Sequence, residues 1–117
     1  MSGRHDHSID LALEPRTAIF GGVMRLESVE AYERLFEPIR AEMTASLDRY
    51  TLDLTGVIFM NSSGIRAVAA LVLAAKRAGI PLRIRSDSKS PWQKKTLPSL
   101  RLLHAGLELE SGLAGQA

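Results

Sequence analysis

After seven polar residues, the chain alternates. Ile9, Leu11 and Leu13 fall on one side and Asp10, Ala12 and Glu14 on the other, the period-two pattern of a strand with one wet face. Residues 1–7 read as a disordered tail. Pro15-Arg16 marks a turn, and Thr17–Met24 reads as a second strand in which Gly21-Gly22 signals a bulge or a close backbone approach. Ser28 then sits where a helix N-cap belongs, with Glu30 in the first turn. Val29, Tyr32, Phe36, Ile39 and Met43 follow at helical spacing, while Glu30, Glu33, Arg34, Glu37 and Arg40 turn outward. Pro38 lies inside this pattern and is expected to kink the helix or divide it near Glu37.

Alternation returns over Arg49–Thr55, with Tyr50, Leu52 and Leu54 set against Thr51, Asp53 and Thr55. Gly56 is expected to end this strand, and Val57–Met60 to form a short apolar loop leading into Asn61-Ser62-Ser63-Gly64. Ile65–Ala78 is rich in Ala, Leu and Val on nearly every side, which predicts a largely buried helix. Lys76 and Arg77 fill its last turn and Gly79 follows, where cations and a glycine suit a helix end. Pro81–Ser86 predicts a strand with Leu82 and Ile84 inward. Pro91 and Trp92 open a weaker helix, interrupted near Pro98, resuming through Leu100, Leu103 and His104, and stopped by Gly106. Leu107–Glu110 is a last short strand, and residues 112–117 form a C-terminal tail.

The predicted order is therefore β-β-α-β-α-β-α-β, one α/β domain over residues 8–111. Because the strands alternate instead of running continuously apolar, the helices are expected on one face of a mixed sheet. A doubly wound sheet would bury both faces and lose the alternation.

Composition narrows the function classes. The 117 residues contain no cysteine, which removes disulfides and thiolate chemistry and fits a reducing, cytoplasmic setting. No apolar run reaches the ~18–20 residues of a membrane span, and no membrane association is expected. The formal charge of +2 conceals a split. Residues 1–60 hold six arginines against ten acids, and residues 61–117 hold nine bases against three acids. Arg83 and Arg85 fall on the same strand parity as Asp10, Glu14, Asp53, Glu108 and Glu110, so part of the split is expected to meet across the polar sheet face. Lys89, Lys94, Lys95 and Arg101 remain as a surface cluster. With one Trp and no Tyr or Phe interleaved, and no recognisable binding motif, this cluster does not read as a nucleic-acid interface.

Enzyme signals are poor. The chain lacks a P-loop, a dinucleotide-binding glycine motif and a nucleophile elbow. His104 reads as a packing or helix-end residue. His5 and His7 form an H-x-H pair in a polar tail, and no cofactor or metal is expected. Trp92 reads first as a core residue and second as an interface anchor.

The informative stretch is Phe59-Met60-Asn61-Ser62-Ser63-Gly64-Ile65, between a strand and a helix. A serine there needs no more explanation than a cap worth about 1 kcal/mol, and Ser62 or Ser63 is placed to provide it. A hydroxyl at a helix N-terminus is also a favourable phosphorylation site, because free N–H groups and the positive dipole end tolerate a charge of roughly −2. The fold would survive the modification while a docked partner would not, since burying an unpaired charge costs several kcal/mol. A different class of reading also stands: a small-molecule or nucleotide regulator using the same helix N-terminus as an anion site.

Residues 49–80, RYTLDLTGVIFMNSSGIRAVAALVLAAKRAGI, resemble the central segment of the STAS domain, as in bacterial anti-sigma factor antagonists. There a strand with a pair like Asp53-Leu54 leads through an apolar stretch to an Asp-Ser-Ser-Gly-like turn opening the second helix. The element order agrees from about Ile9 to Glu110. The resemblance implies that Ser63 is the phosphoacceptor, with Ser62 the alternative, and that Phe59, Met60, Asn61, Ser62, Ser63, Gly64, Ile65 and Arg66 form the partner-binding stretch. Gly64 is expected to permit close approach of the docking kinase. The implied partners are a kinase-type anti-sigma factor, bound when Ser63 is unmodified, and a serine phosphatase that resets the switch. The expected assembly is a monomer or weak dimer. The chain departs from the family pattern at Asn61, where the turn usually carries Asp, and at Gly22-Val23-Met24-Arg25, where a base replaces an acid. It departs again after Glu110, where the family usually adds a helix.

Overall fold

The alternating strands assemble into a five-stranded sheet in the order β1-β2-β3-β4-β5, in a computed structural model that describes residues 6–111. The strands are β1 (Ser8–Asp10), β2 (Thr17–Met24), β3 (Tyr50–Met60), β4 (Leu82–Ser86) and β5 (Glu108–Ser111). Between them lie α1 (Val29–Thr44), α2 (Ser62–Ala78) and the short α3 (Pro91–Thr96), which runs into a 3₁₀ helix over Leu97–Leu102. β1 pairs antiparallel with β2, and the other pairings are parallel, so the sheet is mixed as expected.

Register sorts the side chains. Ala18 pairs with Leu52, Leu52 with Ile84 and Ile84 with Leu109, giving one apolar face. Tyr32, Phe36, Ile39 and Met43 of α1, and Val68, Leu71 and Val72 of α2, are buried in the same core cluster, joined by Leu97 and Leu100. On the other face Asp10, Ile19, Asp53, Arg85 and Glu110 form one row across all five strands. Arg85 meets Glu14 at 3.1 Å, Asp53 at 3.4 Å and Glu110 at 3.3 Å, while Arg83 meets Glu108 at 3.4 Å. Burial works against the Arg85 charge, but Glu14 and Asp53 outweigh it and hold its pKa above the usual value. Acids of the first half and bases of the second thus meet here at the part-buried Arg85, while the exposed Arg83–Glu108 pair contributes only ~0–1 kcal/mol. Asp10 is an exception. Its carboxylate accepts the N–H groups of Ala12 (2.8 Å) and Leu13 (3.1 Å).

That local turn corrects the first expected strand. β1 stops at Asp10 and does not run on to Glu14, leaving Leu13 71% exposed. α1 likewise runs unbroken through Pro38. Pro38 lies on the solvent side, where water can take the Arg34 carbonyl that its ring leaves free. α2 is buried along one side only, with Ser62, Arg66 and Ala70 exposed.

β3 does not end at Gly56, and Val57–Met60 is strand, not loop. β2 and β3 keep pairing through two register shifts, with the extra residues on β3: Ile19 and Gly21 face Asp53 and Gly56, and Gly22 and Val23 face Val57 and Phe59. Asp53 organises the first irregularity by accepting the Thr55 N–H (3.0 Å) and hydroxyl (2.6 Å). Gly22 has φ 83°, and a Cβ there would lie 2.2 Å from the Asp6 carbonyl oxygen, so the chain entering β1 crosses this glycine closely.

α1 has no basic residue in its last turn. Arg16 supplies one from the β1–β2 turn, where it adopts φ 50°. Its guanidinium donates to the carbonyls of Glu42 (2.6 Å), Ser46 (3.3 Å) and Asp48 and stacks over Tyr50. Among the described residues, no helix is long and apolar enough to cross a membrane.

Candidate functional site

β3 hands the chain to α2 through one fully engaged residue. The Asn61 N–H donates to the Met24 carbonyl (3.1 Å), tying the ends of β3 and β2 together. Its backbone is extended, at φ −77° and ψ 173°, as an N-cap requires. Oδ1 accepts from the Gly64 N–H (3.0 Å) and from the Tyr32 hydroxyl (2.8 Å), while Nδ2 donates to the Leu26 carbonyl (2.9 Å). The Tyr32 oxygen in turn accepts the Leu26 N–H (3.1 Å). Burial raises the Tyr32 pKa, and the Leu26 bond offsets this in part.

The cap is therefore Asn61, not Ser62 or Ser63. A carboxamide fits because it accepts twice and donates once, whereas a serine hydroxyl has a single proton and shorter reach. The same geometry requires the amide, because a carboxylate could not donate to the Leu26 carbonyl.

With capping assigned elsewhere, the two serines are idle. Ser62 is exposed and Ser63 half-buried, and among the described residues neither hydroxyl is hydrogen-bonded. Gly64 donates to Asn61 Oδ1 and Ile65 to the Asn61 carbonyl (3.1 Å), which leaves the N–H groups of Ser62 and Ser63 as the open donors of the first turn. That turn contains no acid to repel an added anion.

Around the serines, the expected contact residues divide. Phe59 (40% exposed) and Arg66 reach solvent, and Ile65 is half-buried against the core. Met60 and Gly64 are buried and unavailable to a partner. Gly64 is needed inside the domain: a Cβ there would lie 2.6 Å from Met60 Cγ and 2.9 Å from Tyr32 Cζ. Two surface residues stand here that were not among the expected contacts, Ile58, 70% exposed, and Arg25, whose guanidinium lies 5.0 Å from the Phe59 ring centroid. Continuing the inward parity of Tyr50, Leu52 and Leu54 past Gly56 would have buried Ile58; the register shifts against β2 turn it outward and bury Val57 instead. Arg25 also lines a hollow of about 450 Å³ with Asp6, His7, Val23 and Leu26.

Another missed residue is Gln93, 1% exposed, which closes the side of β3 that outruns β4. Its Nε2 donates to the carbonyls of Leu54 (2.8 Å) and Val57 (3.2 Å), and its Oε1 accepts the Asp87 N–H (2.8 Å). A lone glutamine in an amphipathic stretch carries no pattern that reveals this. Trp92 beside it is half-buried against the core, with Nε1 3.4 Å from the Val57 carbonyl. Lys89, Lys94, Lys95 and Arg101 are exposed. His104 ties a helix end, with Nε2 3.2 Å from the Ile80 carbonyl and Nδ1 accepting the Gly106 N–H (3.3 Å). His5 and the C-terminal tail at 112–117 lie outside the described residues.

No family model matches the chain, and a search of curated proteins finds no match.

Proposed function

We propose that this chain is a non-enzymatic protein-binding module switched by phosphorylation of Ser63, working as the resembled STAS-type anti-sigma factor antagonists do. The unmodified α2 N-terminus docks a serine kinase of the anti-sigma type, phosphate on Ser63 releases it, and a serine phosphatase restores binding. Ser62, the more exposed neighbour, is the alternative acceptor.

The observation that carries this reading is the transfer of capping to Asn61. It leaves two uncommitted hydroxyls at a helix N-terminus flanked by exposed Ile58 and Phe59. A dianion on Ser63 meets open N–H groups and the positive end of the α2 dipole, so the free domain tolerates it. The same charge buried against a partner's apolar surface has no counter-ion and costs several kcal/mol, enough to separate a complex.

The test compares Ser63→Ala and Ser63→Asp with the parent chain. Both variants should unfold within ~0.5 kcal/mol of the parent, as expected for surface changes. A purified serine kinase recovered with the parent chain should bind Ser63→Ala and fail to bind Ser63→Asp. Unfolding of Ser63→Asp, or equal binding by all three, defeats the proposal.

A further inference from the structure

The ends of β2 and β3 leave side chains in water that the core does not use. Ile58 has no partner on β2, because the second register shift sets Gly22 against Val57 and Val23 against Phe59. A bulge of this kind re-aims a side chain. Val57 and Met60 on either side are buried, while Ile58 is 70% exposed and Phe59 40%. Arg25, the first residue after β2, is exposed, with its guanidinium 5.0 Å from the Phe59 ring centroid. Among the described residues it makes no ion pair, although Asp6 lines the same hollow and Glu27 follows two residues on. Stacking covers one face of a guanidinium and leaves its in-plane donors open, the geometry that takes a carboxylate on two N–H groups. The patch adjoins the serines: the Met24 carbonyl holds the Asn61 N–H, so Arg25 and Ser62 leave the same junction.

We propose that Ile58, Phe59 and Arg25 anchor the protein that docks at the serines, and that this partner meets Arg25 with a carboxylate beside a large apolar side chain. The inference rests on the reading of the α2 N-terminus as a docking surface. Ile58 and Phe59 stand outside the hollow that Arg25 lines, so they offer a protruding contact, suited to another protein's surface and not to an enclosed small molecule. Apolar and aromatic side chains around one arginine have the composition of an interface hot spot. The local charge calls for a single acid. A polyanion such as a nucleic acid needs a run of bases, whereas Arg25 is a lone cation with Asp6 across the hollow and Glu27 two residues on.

The probe is a library of random peptides displayed on phage, selected on the full chain and counter-selected on Arg25→Glu. The peptides that survive should pair Asp or Glu with a large apolar residue. They should bind Ile58→Ser about tenfold more weakly than the parent or worse, while the circular dichroism of both variants stays that of the parent. Arg25→Lys should bind at an intermediate level, because the charge remains and the stacked fork is lost. Changing the peptide's acid to Lys should restore binding to Arg25→Glu. A selection that leaves no peptide, peptides without an acid, binding indifferent to Ile58→Ser, or a charge reversal that restores nothing overturns the proposal. Kinase binding to Ser63→Ala and Ser63→Asp reads the switch separately. Loss of the switch with Arg25-dependent peptides intact removes only the switch, and the reverse removes only the anchor.

Discussion

Gly64→Ala separates an internal role for the glycine from a role in docking. Helix propensity alone favours alanine by ~1 kcal/mol. The added methyl, however, would sit 2.6 Å from Met60 Cγ, 2.9 Å from Tyr32 Cζ and 3.0 Å from the Tyr32 oxygen. Met60 can shift its flexible side chain. Tyr32 cannot move without loosening its bonds to Asn61 and Leu26 and its packing on Phe36, whose ring centroid is 5.6 Å away. Overpacking of this kind costs ~1–3 kcal/mol, and each hydrogen bond lost about 1 kcal/mol more. After the propensity gain, the net loss is ~2–3 kcal/mol, or a drop of roughly 10 °C in Tm for a domain of this size. Urea unfolding should show an earlier midpoint with an unchanged slope. In a Tyr32→Leu background, which removes the ring atoms the methyl meets, the same substitution should cost clearly less. A Gly64→Ala variant as stable as the parent but unable to bind its partner would refute this packing account and return the glycine to the docking surface.

Other substitutions probe the same framework. Asn61→Asp should lose ~1–2 kcal/mol at neutral pH, because an anionic oxygen replaces the donor facing the Leu26 carbonyl and the helix-dipole gain of ~0.3–1 kcal/mol does not compensate; chemical denaturation measures the balance. Gln93→Leu should cost ~2–4 kcal/mol by orphaning the Leu54 and Val57 carbonyls and the Asp87 N–H, and the hydrogen-exchange protection of the β3 end should fall with it. Alkaline titration should reveal the buried tyrosines. Tyr50, raised by burial and then by Glu42, and Tyr32, raised by burial, stay protonated in the fold above the ordinary value of 10.0. Their contribution is complete below that pH and is lost above it, at about 1.4 kcal/mol per pH unit for each tyrosine, and Tyr50→Phe should flatten the decline.

Much of the fold was legible because its strands are wet on one side. Leu52, Leu54, Leu82 and Ile84 point inward at period two, and Arg83 and Arg85 point at their acids, so strand parity alone placed most of the ion-pair ladder. The α1 cap at Ser28 and the αL glycine at Gly79 carry strong local signals, and both stand where expected. Failures occurred where a distant group overrode a local preference. Gly56 reads as a stop, yet β2 holds β3 through it with register shifts opposite Gly21 and Gly22. Pro38 reads as a break, but a helix anchored by four buried side chains carries a proline on its solvent side. Ser62 and Ser63 were placed correctly at a helix N-terminus, whereas the residue that caps it was not. The capping residue is chosen by Tyr32 and Leu26, 29 and 35 residues away in sequence, and no local window contains them.

Mass analysis of the protein recovered from the cells that produce it tests the switch most directly. Intact mass before and after phosphatase treatment, followed by fragmentation of the peptide spanning Ser62 and Ser63, reports both the presence and the position of a phosphate. The expected result is a species heavier by about 80 Da, one phosphate, localised to Ser63 and removed by the phosphatase. A chain that carries no phosphate on either serine under any growth condition contradicts the account.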